Sequence, residues 1–263
     1  MNIIVCVKQV PDTTEVKVDP KTGTLIRDGV PSILNPFDQF ALEEAVRLRS
    51  QYGGEVVALS MGPPQARTAL MKCLALGADK AILLSDRTFA GSDTWATSYI
   101  IATAIRKLGK FDLIMCGQQA IDGDTAQVGP ELAQNLGIPQ VTYVEKVEAI
   151  EGNKITVKGV SEDGYHIVET KLPALLTCST PSNFEYTNPP MIGIMKASKK
   201  PFETWTANEV GGDKSKMGLQ GSPTQVMRVY SPPVKGKGVL ITGEPDTAAK
   251  KLVSLLTENK VIQ

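Results

Sequence analysis

The sequence predicts an α/β protein with a doubly wound, mainly parallel sheet, to which an antiparallel hairpin and a C-terminal arm are added. Three observations predict it. Short apolar runs of strand length alternate with helical patterns four times before residue 139, and such alternation builds a parallel sheet between two helical layers. After Pro139 the runs become short, alternating and separated by tight turns, which is hairpin chemistry. Finally, 263 residues with 42% hydrophobic content suffice for one large α/β domain with an extension.

Residues 2–8 form a continuous apolar run ending at Lys8-Gln9. A long polar loop with Pro11, Asp12, Asp19, Pro20, Gly23 and Gly29 leads to Asn35-Pro36; loops of this length are uncommon unless they serve a function. A helix starts near Phe37, with Phe37, Phe40, Ala41, Ala45 and Leu48 on its apolar side and Glu43, Glu44, Arg47 and Arg49 on its surface, and Tyr52-Gly53-Gly54 ends it. Glu55 to Met61 is the second strand. Gly62-Pro63-Pro64 turns into a helix over 65–76, stopped by Gly77, and Lys80 to Leu84 is the third strand. Asp93 caps a helix through Leu108 that places Trp95, Ile101, Ala104, Ile105 and Leu108 on one side. A fourth strand, 111–116, follows.

Beyond Pro139, strands are expected over 141–150, 154–160 and 165–172, with turns at Glu151-Gly152-Asn153 and Glu162-Asp163-Gly164. Leu175 to Cys178 reads as a last core strand. From Pro181 the character changes: Pro189-Pro190, then Met191 to Met195, then Lys196, Lys199 and Lys200, then a Gly-rich polar stretch over 206–225. A strand-like run over 226–230 and a helix over 245–258 complete the chain. This last part lacks a regular apolar pattern for a core of its own. It divides the chain into a domain over 1–180 and an arm over 181–263 laid on a partner, the alternative being a tail that packs back on its own domain.

Composition excludes several functions. The 28 basic and 28 acidic residues cancel and aromatic residues make up only 5%, a poor fit to a nucleic-acid binder. Met1-Asn2-Ile3-Ile4-Val5 enters a strand without a basic leader, and no run approaches the roughly 18 apolar residues of a membrane span, so no membrane insertion is expected. Cys6, Cys73, Cys116 and Cys178 stand far apart without a Cys-x-x-Cys pair; they are expected as buried thiols of a reducing cytoplasm, not metal ligands. The lone His166 has no partner for a triad or a metal site, and no catalytic residue is indicated.

The most informative stretch is 116–130, where a buried strand gives way to Gly117-Gln118-Gln119-Ala120-Ile121-Asp122-Gly123-Asp124-Thr125-Ala126-Gln127 and then to a helix with Val128, Leu132, Ala133 and Leu136. Thr125 or Asp124 is placed to cap that helix. Either this is a capping turn alone or its free N–H groups and the helix dipole hold a phosphate. Neither common nucleotide fingerprint is present. In a parallel sheet, Lys8-Gln9, Ser60-Met61-Gly62 and 117–124 would meet at the carboxyl edge.

Taken together, Cys6 to Asp12, Asn35 to Ala45, Ser60 to Pro63, Ala75 to Asp79, Gly117 to Asp122, Pro173 to Thr177 and Ile194 to Ala197 resemble the beta (small) subunit of electron transfer flavoproteins, in order and over essentially the whole chain. The resemblance implies an adenine-nucleotide alpha-hydrolase-like fold and a heterodimer with a larger alpha subunit that carries FAD. In ordinary members the beta subunit holds AMP; in electron-bifurcating members it holds a second FAD. The run Asp122 to Pro130 looks like the bifurcating branch, and a glycine at 123 lets backbone approach a bulkier ligand.

The family pattern further implies that adenine and ribose lie against Cys6, Val7, Lys8, Asn35, Ser60, Met61 and Gly62. The phosphates would then meet Asp122, Gly123, Asp124, Thr125 and Gln127. It also implies hydride donation by NADH, one electron passing to ferredoxin or flavodoxin and the other, through the alpha-subunit FAD, to an acyl-CoA or related dehydrogenase. Pro190 to Met195 corresponds to a partner-recognition loop, with Met191 and Ile192 as anchors and Lys196, Lys199 and Lys200 facing acidic groups of the partner. Two alternatives stay open: a non-bifurcating subunit with structural AMP, and a regulatory adenine-nucleotide-binding domain of universal-stress type.

Overall fold

Apolar alternation along the first strand decides the layering. In the computed structural model, which describes residues 1–12, 31–227, 236 and 238–262, strand β1 (Asn2–Cys6) sends Ile3, Val5 and Val7 into one core cluster and Ile4 and Cys6 into another. All of these are buried, as expected of a strand covered on both faces. Two further short strands, β2 (Gln9–Pro11) and β3 (Ser32–Leu34), pair antiparallel as a small ribbon that the sequence did not suggest; most of the loop between them lies outside the described residues. Helix α1 (Pro36–Tyr52) follows, then β4 (Glu55–Met61), a short turn and α2 (Arg67–Leu76), β5 (Lys80–Leu84), α3 (Thr94–Leu108) and β6 (Leu113–Gly117). Helix α4 (Val128–Leu136) leads to β7 (Gln140–Glu151), β8 (Lys154–Ser161), β9 (Gly164–Lys171) and β10 (Ala174–Cys178).

With a late strand β11 (Phe202–Trp205), the main sheet has the order β11-β5-β4-β1-β6-β10-β7-β8-β9. Its pairings from the first of these strands through β7 are parallel, and β7-β8-β9 is an antiparallel meander. Residues of α1 and α2 join the cluster with Val5, and those of α3 and α4 join the cluster with Ile4. The sheet is therefore doubly wound. β1 and β6 are neighbours, yet β1 leads to α1 on one face and β6 leads to α4 on the other. That divergence is a topological switch point, where a crevice opens beyond the strand ends.

The last part of the chain departs from expectation. After α5 (Met191–Ala197), strand β11 (Phe202–Trp205) pairs parallel with β5 and completes the sheet edge. Helix α6 (Ala207–Val210) follows, and Ala197, Trp205, Ala207, Val210 and Met217 are buried in the two clusters. This stretch packs back on the α/β unit because strand pairing recruits it. The terminal helix α7 (Pro245–Glu258) buries no residue. Of the strand expected over 226–230, Val226 and Met227 are irregular and exposed, and the remainder lies outside the described residues.

Smaller corrections concern single side chains. Trp95, expected on the apolar side of α3, is exposed. Glu43 and Glu44 are half-buried on α1 because Glu43 accepts from Thr187 and Glu44 holds Arg47 and the amide of Val147. The four cysteines are free and buried.

Candidate functional site

The start of α1 binds together the two strand ends that flank the crevice. Pro36 opens the helix, where its missing N–H costs nothing, and fixes Asn35 before it. Asn35 is fully buried. Its Nδ2 donates to the Gln119 carbonyl at 2.9 Å and its Oδ1 accepts from the Ile121 N–H at 3.2 Å, while its own N–H donates to the Lys8 carbonyl at 2.9 Å. One side chain therefore holds the loop after β6 in place, and its backbone holds the chain after β1. Such an amide satisfies buried backbone groups that would otherwise be costly.

Asp38 makes a second tie. It accepts from the Lys8 N–H at 2.7 Å and from the Gly117 N–H at 3.0 Å. Burial pushes its carboxyl up to about 7, against the bonds from Asn35, Lys8 and Gly117 that favour ionisation. Gly117 is required here, because a Cβ would overlap both Asp38 and Phe37. Sequence reasoning missed Asp38, since an acidic residue in the first turn of a helix ordinarily faces water. The signal for it was its place directly after Asn35-Pro36, at the mouth of the first unit.

The loop itself is closed by Lys8, whose Nζ lies 2.6 Å from Asp122 Oδ1. Lys8, which the resemblance sets against adenine and ribose, is paired within the site and about half exposed. Asp124 does not cap α4: its carboxylate takes a bond from Gln119 Nε2, and Thr125 is exposed. The residue at the cap position is Gln127, without a side-chain bond. Asp124 and Ala126 both have positive φ, 58° and 55°, and Gln127 returns to right-handed geometry. A left-handed residue followed by a right-handed one turns successive N–H groups to one side as an anion nest. Among the described residues, the N–H groups of Thr125, Ala126 and Gln127 donate to no backbone oxygen. The uncapped end of α4 adds its dipole.

At the neighbouring strand end, Gly62 donates to Leu84, Met61 and Gly62 are half-buried, and Ser60 is buried at 1% exposure with its hydroxyl unpartnered. Cys6 ends β1 and Val7 follows it, and both are buried. Burial and the bond to Cys6 raise the Cys116 thiol well above its ordinary value, the bond being the larger cause. Among the described residues no cluster of His, Cys, Asp and Glu could hold a metal ion.

Farther along the chain, α5 lies against α2. A Cβ at Gly193 would overlap the Ala75 carbonyl, so the glycine permits the close approach. Lys200, expected to face a partner, instead donates to the Leu74 and Ala78 carbonyls at 2.9 and 2.6 Å, and burial lowers its pKa. Lys196 and Lys199 remain exposed. Met191, Ile192, Ile194 and Met195 stand out of the surface beside a cleft of about 250 Å³ lined by Met71, Lys72, Ala75, Pro189, Ile194 and Ala197.

A doubly wound α/β protein with a clamped polar loop and an anion nest at its switch point is the class that fold and site define. Comparison with known proteins narrows it. The electron transfer flavoprotein domain matches residues 22–210. The chain is 52% identical to an electron transfer flavoprotein subunit beta of Clostridium acetobutylicum, with both chains covered completely. It is likewise 52% identical, over all of both chains, to the caffeyl-CoA reductase-Etf complex subunit CarD of Acetobacterium woodii. It is 47% identical to the protein FixA of Azorhizobium caulinodans over 94% of this chain and 90% of that one. The chain belongs to the electron transfer flavoprotein family, as a beta subunit. Its role is in electron transfer beside an alpha subunit, which sets aside the universal-stress alternative. No helix among the described residues is long and apolar enough to cross a membrane.

Proposed function

We propose that this chain holds FAD in the crevice between β1 and β6 and takes part in flavin-based electron bifurcation. Electrons would come from NADH and go to ferredoxin or flavodoxin and, through the alpha-subunit FAD, to an acyl-CoA or related dehydrogenase, in the cytoplasm. The observation that carries the reading is the convergence at one crevice of Lys8, the loop held by Asn35, and the nest at Ala126-Gln127 before an uncapped helix.

The residues present fit an adenine dinucleotide. A Cβ at Gly123 would meet nothing nearer than Lys8 Nζ at 3.9 Å, so this corner has room for a bulky ligand. The unpartnered Ser60 hydroxyl offers a hydrogen bond to a ribose or adenine edge, with Cys6, Val7, Met61 and Gly62 as the surrounding wall. The N–H groups of Thr125 and Gln127 would take phosphate oxygens, and Lys8 would exchange Asp122 for a phosphate in part. Asp122 and Asp124 hold the loop and need not touch the ligand. FAD would supply the step from two-electron to one-electron chemistry; this chain supplies binding, orientation and charge, and no acid or base.

The name of the Acetobacterium relative, which sets that protein in a caffeyl-CoA reductase complex, supports an acceptor of the acyl-CoA-related class. We further assign nucleotide binding to 1–180 and, within 181–263, alpha-subunit contact to α7, whose apolar residues Leu252 and Val253 are exposed. Met191, Ile192 and Lys196 on α5 are the contacts for the dehydrogenase.

The second reading is AMP in the same crevice. The single nest at Ala126-Gln127 before α4 favours it, since one cluster of N–H groups is enough for one phosphate. Denaturing the purified heterodimer and identifying the released nucleotide tests both: two FAD are expected, and one FAD with one AMP supports the second reading. Replacing Asp124 or Thr125 is expected to empty this site and leave the alpha-subunit FAD bound; equal loss of both flavins contradicts the site.

A further inference from the structure

Among the described residues, Asp38 is the only buried one with a formal charge. It lies beneath the switch point. Its two oxygens take one backbone N–H each, from Lys8 and from Gly117, the chain segments that leave β1 and β6 for the crevice. Gly117 leaves no room for a Cβ against it. The carboxylate thus spans the crevice floor and sets the distance between the two exits.

We propose that Asp38 is a positioning residue for the nucleotide site: its ionised form fixes the gap between the β1 and β6 exits, and its protonation loosens that gap, so that nucleotide binding depends on pH. The inference rests on the crevice being a nucleotide site, as proposed above. The physical reason is the donor count. A carboxylate only accepts, and here each oxygen meets the backbone N–H of one exit, with Asn35 as a further donor. A proton on either oxygen sets donor against donor at one exit and weakens that tie.

The groups facing Asp38 are few. Lys8 and Asn35 come from the β1 exit and the start of α1; the thiols of Cys73, Cys116 and Cys178 come from α2, β6 and β10. Burial pushes the thiols of Cys73 and Cys178 upward, and Cys116 is raised by its bond to Cys6 and by burial; all three stay neutral near pH 7. Lys8 turns its Nζ to Asp122. Asp38, held by burial to about 7, is the member of this set that changes charge there.

The test uses the full chain in complex with its larger subunit, stripped of nucleotide, with FAD and separately AMP added back at pH 8 and pH 6. FAD affinity at the beta site is expected to be about tenfold weaker at pH 6. Asp38→Asn is expected to bind FAD weakly with no dependence on pH, and His166→Gln to keep the wild-type slope for FAD; AMP, whose phosphate titrates near pH 6, reports occupancy of the site alone. A flat wild-type profile, an unchanged slope in Asp38→Asn, or a slope that vanishes in His166→Gln overturns the proposal. Failure of both nucleotides to bind at any pH overturns the nucleotide site of the proposed function instead. If Asp38→Asn does not fold, amide hydrogen exchange of the wild-type complex decides. Protection of Lys8 and Gly117, corrected for intrinsic rates, is expected to fall from pH 8 to pH 6, and unchanged protection overturns the latch with or without nucleotide.

Discussion

Two stretches near the end of the chain look alike in composition and behave differently. The first, from α5 to Met217, scatters its apolar residues among polar ones and buries Ala197, Trp205, Ala207, Val210 and Met217. The second, α7, has apolar residues on one side and buries none. The difference lies in backbone pairing. β11 adds itself to the free edge of β5, and four strand residues are enough to carry their neighbours into the core. A helix has no such edge to use and needs an apolar surface, which this chain does not offer α7. The first stretch thus answers to its own fold, and the second fits the proposed contact with the alpha subunit.

Substitutions can break that contrast, starting with the largest effect. Trp205→Ala removes a buried indole that packs in the α3–α4 cluster and is expected to cost about 3–4 kcal/mol, read by urea unfolding of the isolated chain. If Trp205→Ala costs no more than a surface change, the first stretch is no part of the core. Gly193→Ala forces α5 away from the Ala75 carbonyl; about 1–3 kcal/mol is expected by the same measurement, together with weaker dehydrogenase coupling.

Next comes acidity. Bonds from Lys80 and Trp205 hold the Glu203 carboxyl below its usual range. Its folded pKa is lowered, so its contribution is present above the ordinary glutamate value and is lost as pH falls through the lowered one. Because Glu203 is partly exposed, Glu203→Gln is expected to cost less than about 1 kcal/mol at neutral pH and nothing in acid. Asp38 runs the other way: its raised pKa means that its contribution is present below about 4 and lost as pH rises through about 7. The smallest effect sharpens the contrast. Leu252→Ser on α7 is expected to leave the stability of the isolated chain within about 0.5 kcal/mol while weakening association with the alpha subunit in a binding titration.

Much of the fold was legible because strand and helix periods differ and each unit ends in glycine or proline. Glu55 to Met61 and Lys80 to Leu84 have the boundaries expected. β11 was not legible: Phe202-Glu203-Thr204-Trp205 is too short to show a period, and its place depends on an edge formed far earlier in the chain. α5 was hidden by Pro189-Pro190 and by Gly193, which read as loop residues and here set the helix start and its close packing.

At the candidate site, the meeting of Lys8 with the loop after Gly117 followed from strand topology, and Asn35 entered through the family resemblance. What escaped was side-chain direction. Lys8 pairs with Asp122, and Asp124 turns to Gln119 instead of capping α4. Asp38 points inward, and no local pattern separates a buried acid in a first turn from a solvated one.

The late arrival of β11 has a consequence during synthesis. A ribosome releases β5 long before Phe202 to Trp205 emerge, so the nascent sheet carries an open flank of unpaired N–H and C=O groups for most of translation. Open flanks invite pairing with other chains. Messages truncated before residue 202 should therefore yield insoluble product, whereas truncation after Met217 should yield material that stays dispersed.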